Sequence, residues 1–393
     1  MNDRTRLSVS VEDSEQVQSL RSRVRAIASQ LPDDYWRRHD QERTYPQEFI
    51  KTLTTDGLLS ALIPRHYGGL GLGLSEAAAI LEEINATGGN AGPAHAQMYI
   101  MGTLLRHGND EQKDRYLPSI ARGDVRLQAF AVTEPEAGSD TSRITTVAVR
   151  HGDRYVVTGH KVFISRVQHS DLMLLLARTS PRDESRPTAG LSTFLVDLRQ
   201  VGERFRLRPL RMMMNNETNE VDFDGVEVPA ENLIGDEGNG FHQILDGWNA
   251  ERILIAAECV GDGRWFVDRA VQYATERVVF GRPIGANQGI QFPIAAAYAH
   301  IEAASLMQRL AAVRFDAGLP SGPDANMAKY LAVEASWAAA NACLDTFGGN
   351  GFNVEYDVER KFRETRLYRV APVSNNLVLA YIGHRVLGMP RSY

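Results

Sequence analysis

The sequence predicts an α+β chain of three successive regions: all-helical (1–125), a β-sandwich or barrel (126–235), and a four-helix bundle (236–393). Three observations carry this. Apolar residues recur at helical spacing up to about residue 125. They then alternate with polar residues, between Asp-, Gly- and Pro-rich connections, to about residue 235. From about residue 240 the chain turns to long Ala-rich segments with extended apolar faces.

In the first region Val17, Leu20, Val24 and Ile27 form one helical face, which leaves Arg21, Arg23 and Arg25 for the others. Phe49, Leu53, Leu58 and Leu59 make a second amphipathic segment, stopped by Pro64. The stretch GGLGLGL (68–74) lacks the third glycine of GxGxxG and follows no clear strand, so it reads as a loop before a helix through Leu81 to Ile84. In the second region Val147 and Val149 alternate with polar neighbours, His151-Gly152-Asp153 turns the chain, and Tyr155 and Val157 alternate again. That is a hairpin signal. Strand patterns continue at Val162 and Ile164, Leu172 to Leu176, Phe194 and Val196, Val221 and Phe223, and Val226 and Val228. In the third region helical segments near 240–278, 289–317, 324–347 and 374–388 are broken at Gly281-Arg282-Pro283, Gly318 to Pro323 and Gly348 to Gly351.

Composition narrows the function. The 393 residues are 43% hydrophobic and 23% charged, as in an ordinary globular protein. Acidic residues outnumber basic ones 49 to 43, a formal charge of −6, which argues against a nucleic-acid binder. Only five of the basic residues are lysine. Arg360, Lys361, Arg363, Arg366 and Arg369 cluster, but Glu359 and Glu364 interrupt them. Cys259 and Cys343 stand alone, so neither a disulfide framework nor a metal site is expected. No apolar run reaches ~18 residues and the N-terminus has no signal-peptide core. A cytoplasmic protein that crosses no membrane is expected.

Five motifs then occur in order. They are IPRHYGGLGLG (63–73), GNDEQKDRYLPSIARGD (108–124), VTEPEAGSD (132–140), ERVVFGRPIGANQGIQF (276–292) and FGGNGF (347–352). Together they resemble the acyl-CoA dehydrogenase family, over nearly the whole chain. The resemblance implies FAD and oxidation of the Cα–Cβ bond of an acyl thioester. A carboxylate removes the α-proton in a dry site, donors polarise the thioester oxygen, and hydride passes to flavin N5.

The resemblance also implies roles. Phe130, Val132 and Thr133 match the strand beside the flavin ring. Gly138 and Ser139 match contacts to the FAD pyrophosphate or substrate. Phe163 and Ser165 match residues covering the flavin's other edge. Arg277 and Phe280, with Gln288 nearby, match the pair that reaches a neighbouring subunit's cofactor, as do Asp345 and Gly349. Ser374 and Asn376 match contacts to the adenosine part. A homodimer or homotetramer follows.

The usual catalytic Glu is missing. Most of the family carries it just before the final helix, where this chain has Pro372, which has neither carboxylate nor N–H. A minority carries the base on a bundle helix, and there this chain has Glu251. Glu251 is therefore the expected base, with Arg252 contacting substrate or orienting the carboxylate. Arg166 stands where Asn is common and reads as a surface arginine. Val279 replaces a frequent Thr, and Asp345 a frequent Gln. The acyl carrier is coenzyme A or an acyl carrier protein, and the implied acceptor is an electron-transferring flavoprotein. The alternatives are an oxygen-using flavin oxidase or monooxygenase of the same fold, and a non-catalytic or DNA-associated relative.

Overall fold

A computed structural model describes residues 12–391. Helices come first: α1 (Glu15–Ala28), α2 (Tyr35–Glu42), α3 (Gln47–Thr55), α4 (Leu74–Ala86), α5 (Gly92–His107) and α6 (Asp110–Arg122). The strands β1 (Leu127–Ala131), β2 (Val147–His151), β3 (Arg154–Ser165), β4 (Leu172–Arg178), β5 (Leu191–Asp197), β6 (Phe205–Pro209), β7 (Thr218–Pro229) and β8 (Leu233–Ile234) follow. Then come α7 (Gly240–Glu276), the short strands β9 (Val278–Val279) and β10 (Arg282–Pro283), α8 (Gln288–Asp316), α9 (Gly322–Phe347), α10 (Val358–Arg366) and α11 (Asn375–Tyr381). The order helix, sheet, helix is the one the sequence predicts. Through space the described chain forms two compact units, one of residues 39–72 and 92–248, the other of 12–38, 73–91 and 249–391.

The first unit is built on an eight-stranded sheet of order β6-β7-β3-β2-β4-β5-β8, with β1 added in parallel beside β4. Strand β4 explains its own composition. Met173, Leu175 and Ala177 face the sheet's core with Tyr155, Val157, Phe194 and Phe223. Leu172 and Leu174 face α5 and α6 through Met101, Leu104, Leu117 and Ile120. Both faces are buried, so the strand reads as an unbroken apolar run. The β2–β3 hairpin forms as predicted, with Val147 opposite Thr158 and His151 opposite Arg154. Its faces are the reverse of the valine pattern: Ala148 is buried, while Val147 and Val149 are 38% and 53% exposed. Ala148 pairs with Val157, whose neighbours fill the core, so register outweighs local hydrophobicity. The two patterns at 221–223 and 226–228 are one long strand, β7.

In the helical unit Ser14 caps α1 by accepting from Val17 N. Leu20, Val24 and Ile27 are buried and Val17 is half-buried. Arg21 is a correction: it is buried rather than on an outer face. Carboxylates of Asp13 (2.8 Å), Glu82 (3.2 Å) and Glu83 (3.1 Å) surround its guanidinium and make burial tolerable. Asp316, at the end of α8, accepts from Leu74 N and Ser75 N at 2.7 and 2.9 Å and so caps α4. Helices α8 and α9 pair through the break at 317–321. The helix α10 is an addition to the predicted set. Within it Arg360 and Lys361 are buried among Asp262, Asp357 and Glu364, so the basic cluster is not a basic face. Among the described residues no helix is long and apolar enough to cross a membrane.

Candidate active site

In the sheet-containing unit, β1 places Phe130 opposite Leu174 and ends at Ala131. Val132 and Thr133 lie just past the strand rather than in it, because the chain there turns through a bridge between Glu134 and Ala137. Their carbonyls are held from β3: Val132 O by Lys161 Nζ at 2.9 Å, Thr133 O by Val162 N at 2.9 Å. Glu134 accepts from Lys161 at 3.0 Å, from Thr145 N and Oγ1 at 2.8 and 2.7 Å, and from Thr146 N at 2.9 Å. Beyond this turn Gly138 and Ser139 are exposed in a loop.

Strand β3 carries one extra residue against β7 between Lys161 and Ile164. This bulge points Lys161, Val162 and Ile164 inward and turns Phe163 out, 57% exposed with φ 61°. Ser165 Oγ accepts from Asn216 Nδ2 at 2.8 Å. Arg166 corrects the surface reading. It is 7% exposed at φ 59°, with Nη2 2.5 Å from Asn216 Oδ1. Asn216 thus ties Arg166 to Ser165. Tyr99 on α5 stands 6.1 Å from the Phe130 ring, with His95 4.9 Å beyond it.

In the helical unit, Glu251 lies on α7 and is 5% exposed. The next residue, Arg252, is half-buried, and its Nη1 donates to Asn249 Oδ1 at 3.2 Å. Burial holds its guanidinium below the ordinary arginine range, while the Glu251 carboxylate and Tyr381 oppose this. After α7, β9 and β10 form a hairpin whose central residues, Phe280 and Gly281, have φ 51° and 79°. Positive φ at both positions matches the strand twist, and an aromatic there is unusual. Phe280 is fully exposed, and Arg277 and Gln288 flank it, also exposed. At the end of α9 the loop 348–352 is docked by Asn350 Nδ2 on Tyr273 OH at 2.9 Å. A Cβ on Gly351 would meet Leu344 O at 2.9 Å, so only glycine lets that turn close. Asp345 and Gly349 are exposed beside it. Ser374 Oγ caps α11 by accepting from Leu377 N, which leaves Asn376 exposed on its first turn.

Two of the three aromatics matched to the cofactor, Phe163 and Phe280, are exposed at positive φ. Strained backbone with an exposed ring is a mark of ligand contact. A Cβ on Gly138 would touch only Thr133 Cγ2 at 4.0 Å, and one on Gly349 would meet nothing, so both glycines border open space. Within the sheet-containing unit, the exposed Phe163 ring, the hydroxyls of Thr133, Ser139 and Ser165, and the open backbone at Gly138 suit a flat aromatic group that carries phosphates. The residues present fit FAD.

Comparison with known proteins agrees. The acyl-CoA dehydrogenase N-terminal, middle and C-terminal domain models match residues 14–124, 129–226 and 238–387. The chain belongs to the acyl-CoA dehydrogenase family. Within the family it is 36% identical over 386 residues to the acyl-CoA dehydrogenase FadE12 of Mycobacterium tuberculosis, spanning 97% of this chain and 98% of that one. It is 35% identical to a Bacillus subtilis acyl-CoA dehydrogenase over 88% of this chain and 90% of that one. Its fold matches butyryl-CoA dehydrogenase from Megasphaera elsdenii with a TM-score of 0.90, at 27% identity, covering 96% and 100% of the two chains. Its reaction is FAD-dependent α,β-dehydrogenation of an acyl thioester.

Sequence reasoning missed Glu134 and Lys161 as the fixtures of the 132–137 turn, and Lys329 under the 370–375 segment. The signal was the scarcity of lysine: Lys161, Lys329 and Lys361, three of the five, are at most 1% exposed.

Proposed function

We propose that Glu251 is the base that takes the α-proton of the thioester. The supporting observation is a carboxylate 5% exposed on α7, while Pro372, at the position most of the family uses, is exposed and has no acid. Its burial keeps water from the carboxylate, as removal of a proton from carbon requires. Arg252, next to it, orients the carboxylate or meets the substrate, and Ser139 meets the substrate's polar part or the FAD pyrophosphate.

Bound FAD supplies the hydride acceptor. From the sheet, Phe130, Val132, Thr133, Phe163 and Ser165 hold its ring, and Gly138 and Ser139 its pyrophosphate. Ser374 and Asn376, taken by themselves in the helical unit, match contacts to the adenosine part of an FAD. Arg277, Phe280, Gln288, Asp345 and Gly349 serve the FAD of a second copy. The chain is thus a homodimer or homotetramer, which exposed Val278, Phe280, Phe292 and Leu306 support. The acyl group rides on coenzyme A or an acyl carrier protein, and an electron-transferring flavoprotein takes the electrons. Two buried free thiols, Cys259 and Cys343, suit a reducing cytoplasm.

Anaerobic mixing with acyl thioesters tests the base. Glu251→Gln is expected to keep the FAD spectrum and to slow flavin bleaching by about 10³-fold. Bleaching at the wild-type rate refutes the assignment. Subsequent aeration separates the dehydrogenase, whose reduced flavin persists, from an oxygen-using relative.

A further inference from the structure

Lys329, on α9, is fully buried and has no part in the reading above. Its ammonium donates to Val373 O at 2.8 Å and to Asn375 Oδ1 at 2.6 Å. Asn375 donates to Glu334 Oε1 at 2.7 Å, and Arg369 Nη2 lies 3.0 Å from the same oxygen. A chain of charged and polar groups on α9 therefore grips the segment between Arg369 and Asn375 from both ends. Apolar burial does little there: Val370 is 63% exposed, and Pro372 is exposed. Within the segment, Ala371 N–H is spent on Leu367 O at 3.0 Å, and Pro372 has no N–H. Val373 N–H makes no hydrogen bond within the described residues.

A buried ammonium is costly unless its bonds are well directed. Here they are aimed at backbone and amide oxygens of one short segment. That is a device for fixing a backbone. We propose that Lys329 is a positioning residue of the dehydrogenation: by clamping Val373 O it sets the 371–374 backbone, so that Val373 N–H is offered to the thioester carbonyl where Pro372 offers nothing. This rests on placing the 371–374 segment at the substrate. Charge at Lys329 is itself adjustable. Burial pulls its amine down to about 8, Arg252 on α7 and Arg369 push the same way, and Cys259 on α7 and Glu334 on α9 oppose. The clamp is charged at pH 7 and loses its proton as pH rises through 8.

The test uses the FAD-loaded full chain and anaerobic flavin reduction by butyryl-CoA or octanoyl-CoA, whichever bleaches the wild type faster. Lys329→Met is expected to keep the flavin spectrum and to slow reduction about a hundredfold at pH 7. The wild-type rate is expected to fall from pH 7 to 9, and in Lys329→Met that fall becomes shallower, the remainder belonging to Lys161, whose amine burial also pulls down to about 8; loss of packing alone would leave the slope unchanged. A wild-type rate in Lys329→Met, or a limb as steep as the wild type's, overturns the proposal. Should that variant not retain FAD, Asn375→Leu keeps the lysine and removes one acceptor. It is expected to slow reduction about threefold, and an unchanged rate overturns the proposal. Val373→Pro deletes the N–H and leaves Lys329. A wild-type rate there refutes the placement of the segment itself, whereas a slow Val373→Pro beside a normal Lys329→Met refutes only the clamp.

Discussion

Lys161 Nζ lies 3.0 Å from Glu134 Oε1, and the two side chains are 0% and 4% exposed. The pair joins β3 to the turn that follows β1, and Lys161 also holds Val132 O. Burial opposes both charges. It pulls the Lys161 amine down to about 8 despite Glu134. Burial pushes the Glu134 carboxyl up, but Lys161 and the bonds from Thr145 and Thr146 outweigh it and hold it at about 2. At neutral pH both are charged, and each is tolerable because the other is present.

Removing one partner therefore strands the other. Lys161→Met leaves a buried carboxylate and is expected to cost about 3–5 kcal/mol in urea unfolding. Adding Glu134→Gln in the same chain should recover part of that loss. A double variant no more stable than Lys161→Met would show that the two charges are not coupled.

The acid limb of stability follows from Glu134. Its folded-state value lies below the ordinary 4.5, so the unfolded chain takes up the proton first as pH falls. The stabilisation is present above about 4.5 and drains away as pH falls toward about 2, on the order of 3 kcal/mol in all. Denaturant midpoints between pH 6 and 2.5 should show the loss, and Glu134→Gln should flatten it.

Much of the fold was legible in the sequence, for stated reasons. The β2–β3 hairpin rests on a local turn, and the breaks after α8 and α9 rest on Gly and Pro. What was not legible depends on partners far along the chain. Arg21 looked solvated because Glu82 and Glu83 lie some 60 positions away. Arg166 looked exposed because its partner Asn216, just before β7, lies 50 positions away. The bulge that turns Phe163 outward exists only in register against β7. The parallel pairing of β1 with β4 has no turn to announce it. Candidate site residues were placed by family motif, whereas Lys329 and Lys161, which position backbone by charge, carry no local pattern.

Phe163 stores strain that glycine would release. A bulky L-residue at φ 61° costs on the order of 1 kcal/mol. Phe163→Gly is expected to raise the thermal midpoint of the FAD-free chain or leave it unchanged, and to weaken FAD binding about tenfold by removing the exposed ring. Fluorescence titration with FAD reads the second effect. Tighter or equal FAD binding would mean the ring does not meet the cofactor.

Phe280 and Phe292 are 101% and 60% exposed, an arrangement a lone chain gains nothing from. Phe280 sits on a hairpin turn, which leaves its ring without neighbours of its own element. If a second copy covers these rings, placing a charge there should separate the copies before it disturbs the fold. Phe280→Asp with Phe292→Asp is expected to shift sedimentation from dimer or tetramer to a smaller species, with unfolding of the helical unit little changed. FAD should then bind more weakly, because Arg277 and Phe280 no longer reach the neighbouring copy's cofactor. An unchanged assembly with unchanged FAD affinity would remove these residues from the subunit contact.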